Sequence, residues 1–452
     1  MQLMKPKRTG FSPSCRGNDN LKRFKNSKRG TTSVFLTMIL ASMLLLTGMF
    51  IHAASQAAGK SYADAVLELA GRSILSEYDL QLKERYGIYA VHTDEKQAEE
   101  KIKSYAEYSF HEDALKEAMR RQKHTNVLKL KLKSVDVSLK GYSITDVNLF
   151  EAQVLEYMKY DILREVFASD AANPPSSDYL LPGDSAAGQN SEREVVLRND
   201  QIINSLPSRG YEKDWFSDLK RIAEAGIPSL EEIKRTGGNN FMVNEYIIRH
   251  FLNHGRGKEA GETFFRNEVE YVLKGYFSDD SNYSAVRTDL FILRNVMNLG
   301  HIFKDPNKRK AVETIAAALT LAKGKEIGAL VVAEAWAAAE SENDLRLLEA
   351  GKRVPLTKSS DSWAVPLSDT LEYIWGEGYI HPERISGYDY EDYLRILLFF
   401  ENREQKLLRC MDLIQLNMKG SSNRDFDLKE YYGGFEFQAV VGNHRFSYIQ
   451  KY

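Results

Sequence analysis

Cysteine is almost missing from this chain: Cys15 and Cys410 are the two among 452 residues. So few thiols exclude a disulfide-stapled scaffold and a Cys₄ metal centre. Proline (11) and glycine (29) are too sparse and too aperiodic for a collagen-like or low-complexity chain. No repeat of fixed period signals a solenoid. The chain also lacks the Gly-rich patterns that cradle phosphates, both G-x-x-x-x-G-K-[ST] and G-x-G-x-x-G. It has no H-E-x-x-H and no G-x-S-x-G nucleophile elbow; His111-Glu112-Asp113 lacks the second histidine of a zinc protease. A formal net charge of −2 gives no overall pull toward nucleic acid. Arg120-Arg121 and Lys308-Arg309-Lys310 are short, acid-flanked clusters that read as solvated helix faces. The composition implies no cofactor, no nucleic-acid partner and no evident small-molecule substrate. Its 43% hydrophobic and 27% charged residues are those of a globular chain of one large or two to three ordinary domains.

The near-neutral total hides two opposite parts. Residues 1–30 carry nine Lys or Arg and one acid, Asp19, a net of +8; the remainder has 52 basic and 62 acidic side chains, a net of −10. Charge then vanishes. VFLTMILASMLLLTGMFI at 34–51 has none, and with its flanks the uncharged stretch Thr31–Ala54 reaches 24 residues. At helical rise this is about 36 Å, enough to cross a hydrocarbon core of roughly 30 Å. Lys28 and Arg29 precede it, so the positive-inside rule places the N-terminus in the cytoplasm and residues 55–452 outside. The expected localisation is a cell membrane crossed once. A cleaved signal peptide is the competing reading, with Ser55-Gln56-Ala57 as the cleavage site, although the apolar run exceeds a usual h-region. Cys15 and Cys410 then lie on opposite sides of the bilayer and cannot pair.

Beyond the span, Ala58, Tyr62, Ala65, Val66, Leu69, Ala70, Ser73 and Ile74 recur at steps of three and four, an amphipathic stripe. The pattern predicts one nearly continuous helix over Thr31–Lys83, ended by Gly87. Further helices are expected over 95–123, 146–167 (capped by Asp146), 213–225, 229–236, 241–253, 282–303, 308–323, 327–348 and 390–418. Period-two alternation marks a strand at 128–139, and Gly442-Asn443 sits between 435–441 and 445–449 as a hairpin turn. Residues 268–276 suit either a strand or a helix. The central strand is expected to pair with the terminal hairpin. The fold class is α+β: an N-terminal transmembrane helix that continues as a long amphipathic helix, then a mostly helical ectodomain with a small antiparallel sheet. Its parts are a basic cytoplasmic tail (1–30), the span (31–54), a helix-and-strand part (55–168), a Pro/Ser/Gly/Ala-rich linker (169–193) and a mainly helical part with the hairpin (194–452).

Few residues invite chemistry. His250 and His254, four apart in RHFLNHG, would share a helix face as two metal ligands; a third would come from Glu245 or Asp279. That pair underlies a metal-dependent hydrolase reading. Glu268 and Glu270 form a carboxylate pair, for which surface or salt-bridge roles are the expectation. Trp336, Trp363 and Trp375 with Tyr373 and Tyr379 offer a stacking platform for a cell-wall or surface binding module, although such aromatics more often serve a core. In the span, Ala41, Ser42 and Gly48 are the small residues that permit close helix approach.

The segments RGTTSVFLTMILASMLL (29–45), YADAVLELAGRSILSEYDLQLKERYGIYAV (62–91), NEVEYVLKGYFSDDSNYSAVRTDLFILRNVMNL (267–299), AEAWAAAESENDLRLLEAGKRVPLTKS (333–359) and YEDYLRILLFFENREQKLLRCMDLIQLNM (390–418) carry a resemblance. The chain resembles membrane-anchored proteins of Gram-positive bacteria encoded beside tight-adherence (Tad, or Flp) pilus genes and grouped with TadE- and TadG-like pseudopilins. The resemblance implies a non-enzymatic accessory or minor component of such an assembly, with other pilus or membrane-assembly subunits and membrane lipid as partners. It supplies no catalytic residues. Pilin precursors are cut after a glycine, with glutamate at the fifth mature position. With Gly30 as the processing site that position is Phe35, and no glutamate lies in the span. This departure argues for a membrane-retained accessory protein over a filament subunit.

Overall fold

A computed structural model of the chain describes residues 28–110, 130–168, 200–210, 227–255, 263–323, 328–370, 379, 386–421 and 424–452. The expected linker at 169–193 and the helix expected at 213–225 lie outside them. The architecture is mostly helical with a small antiparallel sheet. Contacts divide the chain into one unit of residues up to 69, 103–134 and 439–446, and a second of 70–102, 135–438 and 447–452.

Helix α1 runs from Lys28 to Leu75, 48 residues without a break. It stops short of the expected Lys83. Ser76–Tyr78 unwind, Asp79 accepts from the Leu82 amide through its carboxylate (2.9 Å), and a second helix, α2 (Leu80–Tyr86), begins. A capping aspartate draws the chain out of helical geometry, which hydrophobic spacing alone does not register. Gly87 ends α2 as expected. Its φ is 66°, and a Cβ there would lie 2.1 Å from the Tyr157 ring. The buried stripe of α1 also differs from the expected one. Gly59, Ala63, Leu67, Ala70 and Ile74 face inward, whereas Ala58 and Ala65 are exposed and Leu69 is 65% exposed. Small residues on the inner face admit close approach, and Gly71 packs directly on Gln450 and Phe437.

Within the first unit, the Tyr62 hydroxyl donates to the Ser109 carbonyl (2.8 Å) and its ring meets Phe110. Ser109 and Phe110 end helix α3 (Glu95–Phe110); the expected continuation to Lys123 lies outside the described residues. The second unit holds the main core. Strand β1 (Val91–His92) pairs antiparallel with β3 (Tyr431–Tyr432), Val91 opposite Tyr432. Helix α4 (Val147–Ala168) starts at the predicted cap, Asp146, whose carboxylate accepts from Asn148 and Leu149 amides at 3.0 Å. It buries Phe150, Val154 and Met158. Short helices α5 (Asp200–Ser205) and α6 (Leu230–Thr236) follow, the latter opened by a capping box between Ser229 and Glu232. Helix α7 covers Gly238–His250.

Residues 268–276 resolve as helix: α8 is Glu268–Lys274. Helices α9 (Asp279–Lys304), α10 (Pro306–Lys323) and α11 (Ala329–Glu349) then pack in succession, α11 lying along α9 and α10 against both. The single helix expected over 390–418 is two: α12 (Tyr390–Phe400) and α13 (Arg403–Ser421). Asn402 makes the break, its side-chain oxygen accepting from the Glu404 (2.9 Å) and Gln405 (3.2 Å) amides. The second sheet has the order β2-β4-β5, from Leu132–Ser138, Gly434–Val441 and His444–Lys451. The central strand thus pairs with the terminal hairpin as expected. Gly442 turns the hairpin with φ 59°.

Gly87→Ala should destabilise the chain by about 2 kcal/mol or more, the sum of left-handed strain and displacement of Tyr157. Urea unfolding of the detergent-solubilised protein reads this. A change below ~0.5 kcal/mol would show that the α2–α4 contact is not tight.

Candidate functional site

Among the described residues, the most extensive exposed apolar feature is the first part of α1. The helix from Thr32 is long and apolar enough to cross a membrane, with mean hydropathy 2.4 over its best window and none of that window buried. Val34, Phe35, Leu36 and the other large apolar side chains up to Ile51 are between 39% and 72% exposed. Its hydroxyls are satisfied inside the helix. Thr37 donates to Val34 (2.8 Å), Ser42 to Ile39 (2.8 Å) and Thr47 to Met43 (2.7 Å) backbone carbonyls. Such a segment offers hydrocarbon no unpaired side-chain donor. Ala41 and Ser42 are exposed, and a Cβ on Gly48 would meet nothing within 4 Å. Gly30 lies in the first turn of α1.

His250 and His254 do not share a helix face. Helix α7 ends at His250 because Phe251 is extended (φ −120°, ψ 143°). The His250 ring is half-buried, its Nδ1 3.0 Å from the Arg85 carbonyl, and it packs on Tyr246 and Tyr157. Burial pushes its pKa down to about 4. His254 stacks on Tyr283 with ring centroids 3.9 Å apart. Both proposed third ligands are engaged elsewhere. Glu245 holds Arg395 (2.7 Å), and Asp279 accepts from the Arg266 and Asn267 amides (both 3.0 Å). Among the described residues no group of three or more His, Cys, Asp or Glu is placed to hold a metal ion.

Glu268 and Glu270 are not surface residues. Both are completely buried on α8, and among the described residues neither faces a cation at salt-bridge distance. Glu268 accepts from the Leu252 amide (2.8 Å) and the Asn417 side chain (2.6 Å). Glu270 accepts from the His254 amide (3.0 Å) and the Tyr390 hydroxyl (2.8 Å), both at Oε1, and its Oε2 has no partner. Burial pushes both carboxyls up to about 7. Two residues apart on one helix, they grip successive alternate amides of the extended 251–254 connection. Their work is to hold that connection against α8.

The aromatic platform is likewise consumed by packing. Trp336 is buried, and Trp363 meets it edge-on at 5.2 Å. Both indoles donate to the Val365 carbonyl, at 2.7 and 2.9 Å. His301 stacks on Trp363, and the Lys308 ammonium lies 4.3 Å from the Trp363 ring centroid and 4.8 Å from that of Trp336. Tyr379 donates to Asp369. Tyr373 and Trp375 lie outside the described residues.

A buried ionic cluster is the feature that sequence reasoning missed. Arg294 on α9 is fully buried. It donates to Asp344 (3.0 Å), to the Pro355 and Leu356 carbonyls (3.0 and 2.9 Å), to Asn298 (3.2 Å) and to the Tyr393 hydroxyl (3.0 Å). Lys358 bridges Glu340 and Asp344, and Glu340 also accepts from the Ala364 and Val365 amides. Two cations and two carboxylates thereby fasten segment 355–365 onto α9 and α11. The signal available in the sequence was Arg294 within the apolar run LFILRNV, a charge where a core side chain belongs.

Comparison with protein families gives one finding. The model of a family of unknown function, DUF5702, matches residues 194–443, more than half of the chain. No curated protein and no solved structure matches.

Glu270→Gln tests the buried carboxyl. A folded pKa raised above the unfolded value gives stability that is complete below pH ~4.5 and is lost as pH rises through ~7. The glutamine oxygen can keep both hydrogen bonds. The variant should therefore match the native protein near pH 4.5 and exceed it by roughly 3 kcal/mol at pH 8. A stability difference that does not change with pH, followed by thermal or urea unfolding, would remove the assignment. Arg294→Ala should cost about 3–5 kcal/mol by taking one of the two cations from Asp344 and leaving the Pro355 and Leu356 carbonyls unmet, measured the same way; a loss under ~1 kcal/mol would contradict the clamp.

Proposed function

We propose a membrane-anchored, non-enzymatic role for this chain, which belongs to the DUF5702 family of unknown function. The observation that carries the reading is the uncovered apolar helix of residues 34–51 directly behind nine positive charges. In this reading the basic tail stays in the cytoplasm, the span crosses the cell membrane once, and residues 55–452 stand outside. The protein serves as an accessory or minor pseudopilin-like component of a Tad/Flp-type pilus or secretion assembly. Support comes from the resemblance of its segments and from the unbroken passage of α1 from Lys28 to Leu75. Absence of a glutamate from the span accords with retention in the membrane. Its partners are lipid and other assembly subunits, reached through Ala41, Ser42 and Gly48 where helices approach closely.

Protease shaving of intact cells should degrade residues beyond the span and leave an N-terminal fragment in the membrane. A chain that survives shaving intact, but is cut once cells are opened, would reverse the topology. Gly48→Leu adds bulk where the chain has no contact of its own. It should lower co-purification with neighbouring membrane subunits while leaving unfolding of the ectodomain unchanged. Unaltered co-purification would remove the packing role of that face.

A further inference from the structure

The second unit carries a groove that none of the features above uses. It encloses about 530 Å³ and is lined by Arg72, Leu75, Tyr78, Tyr89, Lys451 and Tyr452, with Ser76, Ile449 and Gln450 completing its walls. Three tyrosines form the aromatic side. Tyr78 meets Tyr89 edge-on at 5.1 Å, and Tyr452 lies 5.5 Å from Tyr89 and 6.4 Å from Tyr78. This wall is fixed from behind. The Tyr89 amide donates to Gln153 and its carbonyl accepts from the same side chain, both at 2.8 Å, while the Tyr452 hydroxyl donates to the Leu75 carbonyl.

The groove also includes the end of β5, an edge strand with β4 on one side and no strand on the other among the described residues. The Tyr452 amide donates to the Gly433 carbonyl (3.2 Å), which sets the pairing register with the turn at Gly442-Asn443. In that register the backbone groups of Ser447, Ile449 and Lys451 point away from β4, along an open edge of about 13 Å. Ile449 is 64% exposed beside them. An edge of this kind is a template for another extended chain.

Charge indicates which chain. Lys451 is an exposed cation at the edge of the groove, no carboxylate lines it, and the neighbouring Glu77 is held by Lys101. The portion of the protein beyond residue 30 has a net charge of −10, so this is a basic spot on an acidic body. A second copy would bring the same cation to the same edge. We propose that the groove and the open edge of β5 bind an extended acidic peptide segment of a partner protein by strand addition. The segment pairs with Ser447–Lys451, seats one apolar or aromatic side chain against Tyr78, Tyr89 and Tyr452, and sets a carboxylate against Lys451. This inference does not depend on the membrane reading.

The test uses the full chain in detergent and a fluorescein-labelled heptapeptide, Asp-Val-Glu-Phe-Glu-Val-Asp, with Lys-Val-Lys-Phe-Lys-Val-Lys as its counterpart. The acidic peptide should bind at least about tenfold more tightly by anisotropy and slow exchange of the Ser447, Ile449 and Lys451 amides. Ile449→Pro removes an outward N–H without touching the ladder to β4, and Lys451→Glu reverses the charge. Each should weaken binding about tenfold or more. Lys451→Glu is exposed and should unfold like the native protein, so its loss of binding cannot come from misfolding. Equal affinity for the two peptides, no saturable binding, or binding without amide protection would overturn the proposal. So would self-association of the peptide-free protein that Ile449→Pro abolishes.

Discussion

Water cannot cover the surface that residues 34–51 present. Thirteen large apolar side chains from Val34 to Ile51 are at least 39% exposed. Full burial of one such side chain is worth about 1.5–3 kcal/mol. Their sum, even for partial exposure, is about 12–25 kcal/mol, as large as or larger than the 5–15 kcal/mol that holds an ordinary domain together. A helix in this state must be covered by hydrocarbon or by other apolar helices. The satisfied hydroxyls of Thr37, Ser42 and Thr47 fit hydrocarbon, because no polar side-chain group is left without a partner there. The proposed topology and the proposed assembly partners both follow from how that surface is covered.

The helical part solves the opposite problem, charge inside a core. Arg294 and Lys358 are matched by Asp344 and Glu340, and other donors of Arg294 go to the backbone carbonyls of segment 355–356, to Asn298 and to the Tyr393 hydroxyl. Glu268 and Glu270 lack such partners, and burial holds their protons to about pH 7. Lys406 is the cationic counterpart: surrounded by the Asn240 and Asn244 side chains and the Leu398 carbonyl, its ammonium is pushed down to about 7. Arg294, Lys358, Glu268 and Glu270 each tie a non-helical segment to a helix, where apolar packing alone would leave backbone amides and carbonyls unmet, whereas Lys406 on α13 joins α7 and α12.

Much of the fold is legible in the sequence, for identifiable reasons. Asp146 and Gly87 sit at helix ends where capping chemistry is strong, and Gly442-Asn443 falls between alternating runs, so these boundaries match. The failures share a cause. Asp79 and Asn402 interrupt apolar periodicities that continue on both sides, and a cap inside a periodic run carries no signal in the period itself. The buried face of α1 was misplaced because Gly59 and Ala63 pack closely and score as weakly apolar, whereas Leu69 scores high and faces solvent. His250 and His254 needed a helix through 254, and the extended Phe251 ends it. Glu268 and Glu270 looked like surface charges because nothing local marks a carboxylate that accepts from amides sixteen residues away. The groove beside β5 is assembled from Tyr78, Tyr89 and Tyr452, and no spacing announces such a meeting.

Alkaline carbonate extraction of membranes from cells making the full chain tests the central claim most directly. With residues 34–51 in the hydrocarbon, the protein stays in the membrane pellet, and a version lacking those residues leaves it. Release of the full chain into the supernatant would contradict the account.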